Sequence, residues 1–215
     1  SAYTEMAIGS ALIFGLILPE NFRRPYLAAD IRDFWRRWHI TLSRFLRDYL
    51  YIPLGGSRNG LRRYLVATFV TMGLCGLWHG AGWTFVAWGL WHGLGLAVCH
   101  GWQRFGRPMP ALAGWAVTML FVFAGWVLFR AASFGVAGSI LLSLVGAHGA
   151  GGAVQEIRLL TIAALASALI PSAHEIIDGV KRPRPVLAAA GALLAIYCLL
   201  AVGKGAPVNF IYFQF

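Results

Sequence analysis

Formal charge is scarce in this 215-residue chain: Asp, Glu, Lys and Arg together make up 12%, about half the roughly 25% usual for a soluble domain. Acids are scarcer still, 8 against 18 Lys and Arg, which leaves a net charge of +10. Cysteine is limited to Cys75, Cys99 and Cys198, all inside apolar runs and without CxxC or Cys/His spacing. That pattern excludes a disulfide scaffold and reads the three as packing residues. The opening Ser-Ala-Tyr-Thr-Glu has no Met, basic n-region or small-residue cleavage site, so no secretory leader is read there. GxSxG, P-loop and GxGxxG patterns are absent, and the long apolar runs hold no Asp or Glu beyond Glu5. Paired-carboxylate chemistry within those runs is therefore not expected.

What is present is apolar: 59% of residues, with 26 Gly, 9 Trp and 14 Phe and a mean hydropathy of +0.67. Disorder and a collagen-like rod are excluded, and an integral membrane protein remains. The expected fold class is all-α, a polytopic transmembrane helical bundle with amphipathic interfacial helices. Ala111–Phe129, 19 residues without a charge, is the clearest span, since about 20 apolar residues cross a bilayer. Val186–Val202 is the next. Leu159–Ile170 is 12 residues long before Pro171, and Ile140–Gly146 is too short to span. The run Tyr64–Trp102, 39 residues, is too long for one helix. Its break is expected at Gly80-Ala81-Gly82, because each glycine costs a helix about 1 kcal/mol, giving helices over about 64–78 and 84–100. A turn at membrane depth is tolerated where it lines a cavity or is buried in protein.

The segment 20–63 differs: it holds ten basic residues and four acids, a net +6. Within it Trp35, Trp38, Leu42, Phe45 and Tyr49 recur at three- and four-residue steps, with Arg36, Arg37, Arg44 and Arg47 mostly between them. This predicts a basic amphipathic helix in the headgroup region, on the cytoplasmic side. Arg104 and Arg107, and Lys181, Arg182 and Arg184, mark other cytoplasmic loops. The basic excess thus argues orientation against an anionic leaflet, with the lipid bilayer as partner and no nucleic acid.

Chemistry centres on histidine. Three of the six sit beside tryptophan, as Trp38-His39-Ile40, Trp78-His79-Gly80 and Trp91-His92-Gly93, and an ionisable group at membrane depth is a functional candidate. The bland alternative for each is a neutral ring packed in a bundle. The 13-residue step from His79 to His92 turns a continuous helix through about 220° net, so the two converge only if the chain turns between them. The short-spaced ligand pairs of zinc sites are missing, and no metal is expected. A histidine can take a proton from a hydroxyl attacking an ester or thioester. Residue chemistry alone leaves acyl transfer and proton translocation both open.

Five ordered stretches carry a resemblance: Tyr3-Thr-Glu-Met-Ala-Ile-Gly9, Pro19-Glu-Asn-Phe-Arg-Arg-Pro-Tyr26, Phe34-Trp-Arg-Arg-Trp-His-Ile-Thr-Leu-Ser43, Arg47-Asp-Tyr-Leu-Tyr-Ile-Pro-Leu-Gly-Gly56 and Gly76-Leu-Trp-His-Gly-Ala-Gly-Trp83. Together they resemble the membrane-bound O-acyltransferase family, in its alginate O-acetyltransferase-like branch, densely over 3–93 and more weakly over 100–200. The closing Asn209–Phe215 also looks like the end of such a protein. The resemblance implies one membrane-embedded region over 1–215, with 20–63 basic and cytoplasmic or interfacial, 64–102 carrying the catalytic histidines, and spans at 111–129 and 186–202. It implies that further helices precede Tyr3 in a longer parent chain.

The family's essential histidine, preceded about forty residues earlier by Asn, Asp or His, maps onto His79 and His39; His92 is supporting. His79 would act as base on the acceptor hydroxyl, and His39 would orient the site or bind substrate. A tunnel between the membrane faces would bring an activated acyl group to an exported polysaccharide such as alginate. The donor would be acetyl-CoA or another activated acyl compound, consumed as substrate with no bound cofactor. The implied setting is the bacterial inner membrane, multi-pass, alongside periplasmic acetyltransferase partner proteins. The alternative reading is a histidine-based proton-coupled transporter or channel subunit, which the lack of an internal repeat or paired broken helices disfavours.

Overall fold

The computed structural model describes residues 2–106, 108–147, 157–172, 175–176 and 185–202. Lys181, Arg182, Arg184, Arg107 and Asn209–Phe215 lie outside these. Among the described residues all regular structure is helical. Residues 1–170 form one unit and 171–215 another.

In the first unit the helices are α1 (Ala2–Ile13), α2 (Ile31–Arg37), α3 (Ile40–Leu46), α4 (Gly60–His79), α5 (Trp83–Arg104), α6 (Ala111–Arg130), α7 (Phe134–Leu144) and α8 (Ile157–Leu169). Short helical turns at Pro25–Leu27 and Arg47–Tyr51 join them. The second unit contains α9 (Pro185–Val202). Among the described residues α6 is long and apolar enough to cross a membrane. It closes on Arg130, a cation suited to a helix C-terminus.

Helices α4 and α5 form an antiparallel hairpin, and glycine explains how tightly it closes. A Cβ on Gly76 would collide with the Phe85 carbonyl oxygen, and one on Gly89 with the Met72 carbonyl oxygen. The two backbones therefore touch through reciprocal glycine notches, the small-residue mode of helix packing. The turn falls at residues 80–82, as the glycine pair predicts, and the helix limits extend a few residues beyond the expected 64–78 and 84–100.

Helix α2 lies against this hairpin and α6. Asp30 caps it by accepting from the Asp33 amide at 2.8 Å, and Arg36 and Arg37 fill its last turn, as the helix dipole favours. Ile31 and Phe34 are buried with Ala28, Met119 and Val122, and Tyr26, Trp38, Leu96 and Trp126 pack around them. Leu46, Cys75 and Trp88 form a second buried cluster that includes Leu42 and Phe129 at its edge. Trp35 touches both clusters.

Here the structure corrects one expectation. The amphipathic helix predicted over Trp35–Tyr49 is broken at Trp38-His39, and its first part is internal. Trp35 and Trp38 point into protein, whereas Phe45 and Tyr49 are exposed beside exposed Arg44 and Arg47. The same spacing thus serves burial in one half and a surface stripe in the other. Elsewhere the surface is strongly apolar: Val66, Val70, Leu74 and Leu77 on α4 and Leu90, Leu94, Val98 and Trp102 on α5 form exposed stripes at helical spacing, a density that marks contact with hydrocarbon or other apolar helices.

Candidate active site

The break in the Arg-rich segment places a histidine. Trp38 is extended, His39 takes the left-handed conformation at φ 44°, ψ 56°, and α3 starts at the next residue. A left-handed non-glycine residue is uncommon and costs of order 1 kcal/mol or more, so its surroundings must hold it there. They do. The Asn21 carbonyl accepts from the Ile40 amide at 2.9 Å, and the Arg23 amide donates to the Arg37 carbonyl at 2.9 Å. Asn21 Oδ1 accepts both the Thr41 amide, at 3.0 Å, and the Thr41 hydroxyl, at 2.6 Å. The Ser43 hydroxyl donates to the Trp38 carbonyl at 3.1 Å.

His79 arrives from the other direction, as the last residue of α4. Its ring lies edge-on to Trp88 at 5.2 Å and to Phe129 at 5.1 Å between centroids. Trp78 bridges the two histidines, 4.8 Å from the His79 ring and 6.5 Å from the His39 ring. Burial pushes the His39 imidazole below its ordinary value by disfavouring the charged ring. Both rings are half-buried, accessible to a substrate group while sheltered from bulk water.

His92 stands apart from this opening. It is fully buried, edge-on to Trp35 at 5.2 Å and to Trp88 at 4.9 Å, and stacked beside Phe34 at 6.1 Å. Neither of its ring nitrogens has a hydrogen-bond partner among the described residues. A Cβ on Gly125 of α6 would come within 3.1 Å of its Nε2, so that glycine makes room for the ring. His79 and His92, on opposite arms of the hairpin, share Trp88 as a neighbour.

A cavity of about 200 Å³ opens between α2, α3 and α4, lined by Arg32, Trp35, Arg47, Tyr64, Thr68 and Thr71 among others. The Thr68 and Thr71 hydroxyls and the Trp35 indole N–H are buried without a partner among the described residues, so the cavity offers hydrogen-bonding groups to a visitor. Of its lining residues, Arg32 contacts the Gln103 side chain and, at 3.1 Å, His100 Nδ1, while the Tyr64 ring stacks on His100. Asn21, Trp35, Trp88 and Phe129 are the neighbours that residue spacing did not single out for the site. For Asn21 the signal in the sequence is its place within the stretch Pro19–Tyr26. Among the described residues no three His, Cys, Asp or Glu side chains gather as metal ligands would.

The family model of the membrane-bound O-acyltransferases matches residues 1–141. The chain is 48% identical over 156 residues to a peptidoglycan O-acetyltransferase of Helicobacter pylori, covering 69% of this chain and 29% of that protein. It is 48% identical over 139 residues to a probable alginate O-acetylase of Pseudomonas aeruginosa, covering 64% and 26%. To a teichoic acid D-alanyltransferase of Bacillus subtilis it is 29% identical over 150 residues, covering 62% and 38%. The chain spans well under two thirds of the length of these relatives. Both histidines and the helices that carry them fall inside the matched residues, and the chain belongs to the membrane-bound O-acyltransferase family.

Proposed function

We propose that this chain is the histidine-bearing part of a multi-pass bacterial inner-membrane O-acyltransferase. It would transfer an acetyl group from a cytoplasmic activated donor, such as acetyl-CoA, towards hydroxyls of an exported cell-surface polysaccharide. The observation that carries the reading is the meeting of His39 and His79 around Trp78, from elements forty residues apart in the chain. Helices α4, α5 and α6 have 20, 22 and 20 residues, each about 30 Å at 1.5 Å per residue, the thickness of a hydrocarbon core. That supports a polytopic bundle. The relatives' names mention peptidoglycan, alginate and teichoic acid; the acceptor proposed here is alginate or a similar exopolysaccharide, and the proposed partners are periplasmic acetyltransferases.

In this mechanism the acceptor oxygen attacks the donor's thioester carbon while His79 takes the hydroxyl proton. The tetrahedral intermediate collapses, the C–S bond breaks, and the proton passes from His79 to the departing thiolate. His39, held neutral by burial, orients the acceptor or the carbonyl. The Thr68/Thr71 cavity, with Arg32 and Arg47 in its lining, suits the approach of an anionic donor. The test is the O-acetyl content of secreted polysaccharide in cells expressing the full-length parent, wild type against His79→Ala at matched membrane levels. Loss of ester in the variant alone supports the reading, and equal ester content overturns the role of His79.

A further inference from the structure

The left-handed turn at His39 needs an external hold, and two of the hydrogen bonds that supply it end on one side-chain oxygen, Asn21 Oδ1. We infer that Asn21 is a positioning residue that aims the His39 imidazole at the His79 end of the hairpin, an assignment that rests on the acyl-transfer reading above.

Three lines of geometry converge. Asn21 Oδ1 accepts two hydrogen bonds from Thr41, at 2.6 Å from the hydroxyl and 3.0 Å from the amide. Its carbonyl takes the Ile40 amide at 2.9 Å, and two residues on the Arg23 amide reaches the Arg37 carbonyl at 2.9 Å. The segment 21–23 therefore binds the chain on both sides of His39, to α2 before it and to α3 after it. The next residue, Phe22, packs its ring 5.8 Å from the His39 ring and 5.0 Å from Trp38, limiting how the imidazole can swing.

A left-handed residue without such bonds relaxes toward ordinary helical or extended backbone, and either change swings the Cα–Cβ bond away from Trp78. Misplacement by about 1 Å at a reacting group costs up to a hundredfold in rate. The backbone bond from Ile40 survives substitution of Asn21, so side-chain loss should loosen the His39 turn without releasing the segment. The chemistry asked of the side chain is purely to accept two hydrogen bonds, which a carboxylate also does.

The experiment uses the full-length protein in native membranes, as wild type, Asn21→Ala, Asn21→Asp and Thr41→Val. Two readouts are taken: polysaccharide acetylation, and the rate at which diethyl pyrocarbonate modifies His39, followed by peptide mass spectrometry. Asn21→Ala should speed His39 modification about threefold or more and cut acetylation about tenfold, Thr41→Val should do so to a smaller degree, and Asn21→Asp should restore both. Unchanged His39 modification in Asn21→Ala overturns the inference, as does Asn21→Asp failing as badly as Asn21→Ala. If Asn21→Ala fails to accumulate, Thr41→Val carries the same test, and unchanged His39 reactivity there overturns it. If His39 reactivity responds as expected while even the wild type transfers no acetyl group, the positioning role stands and the acyl-transfer reading falls.

Discussion

Residues 31–39 and 44–52 have similar recipes, arginine alternating with large aromatics, and opposite fates. In the first, Phe34 is 1% exposed, Trp35 and Trp38 are half-buried against the core, and the arginines are turned to its margin. Arg37 there is tied to Asp33 at 2.8 Å. In the second, Phe45, Tyr49 and Ile52 are more than half exposed beside Arg44 and Arg47. The difference lies in what faces each. Helices α5 and α6 supply the first half with a glycine-notched surface, while in the second half Leu46 turns to a buried cluster and Phe45, Tyr49 and Ile52 stay on the outside. An aromatic stripe at helical spacing thus says that a face is apolar without saying whether protein or lipid meets it.

The sharpest way to break the comparison is to remove the histidine that the buried half approaches through Trp78. His79→Ala should lower polymer acetylation at least about a hundredfold with protein levels intact, read as ester content of the secreted polymer; a smaller loss would remove His79 from the proposed reaction. Next, aromatic truncation should cost very differently in the two halves. Phe34→Ala should destabilise by about 3 kcal/mol or more, while Phe45→Ala should stay within about 0.5 kcal/mol, measured by thermal unfolding of the detergent-solubilised protein. Equal losses would place Phe45 against protein as well.

Acid separates the halves too. Burial holds the His39 pKa below its ordinary 6.5, so the unfolded chain takes the proton first. Stability is undiminished above pH 6.5 and falls as pH drops below that value toward the native pKa. Asp48, held below its ordinary 3.8 by its bond to Arg47, favours folding above that pH and ceases to as it falls. Being exposed, that pair is screened by salt. Unfolding temperatures between pH 7 and 5 should therefore decline in the wild type and decline less in His39→Gln. Matching slopes would deny His39 its part.

The smallest effect belongs to the outer arginines. Arg44→Gln and Arg47→Gln should each weaken attachment of a synthetic peptide spanning residues 40–58 to anionic vesicles by about 1 kcal/mol at low salt. Insensitivity to vesicle charge would mean that this half faces something other than a lipid surface.

Much of this was legible in the residues. The glycines at 80 and 82, on either side of Ala81, announced the turn of the hairpin, and the uncharged stretch after Pro110 announced α6 nearly residue by residue. The histidine pair came from family motifs, since no periodicity links His39 to His79. The break at His39 was hidden because neither Gly nor Pro marks it. It is imposed by Asn21, eighteen positions earlier, through tertiary hydrogen bonds that a local window does not see. The burial of Trp35 was hidden for a related reason: the partner surface belongs to helices far along the chain.

The reciprocal glycine notches have a consequence for biogenesis. The backbone contacts of Gly76 with Phe85 and of Gly89 with Met72 lie within one short stretch of chain, joined by a three-residue turn. Such local contacts form ahead of distant ones. The hairpin is expected to close early in synthesis, as soon as Arg104 has left the ribosome, before α6 is available to pack against it. His79, at its tip, would then meet a His39 turn already synthesised and waiting.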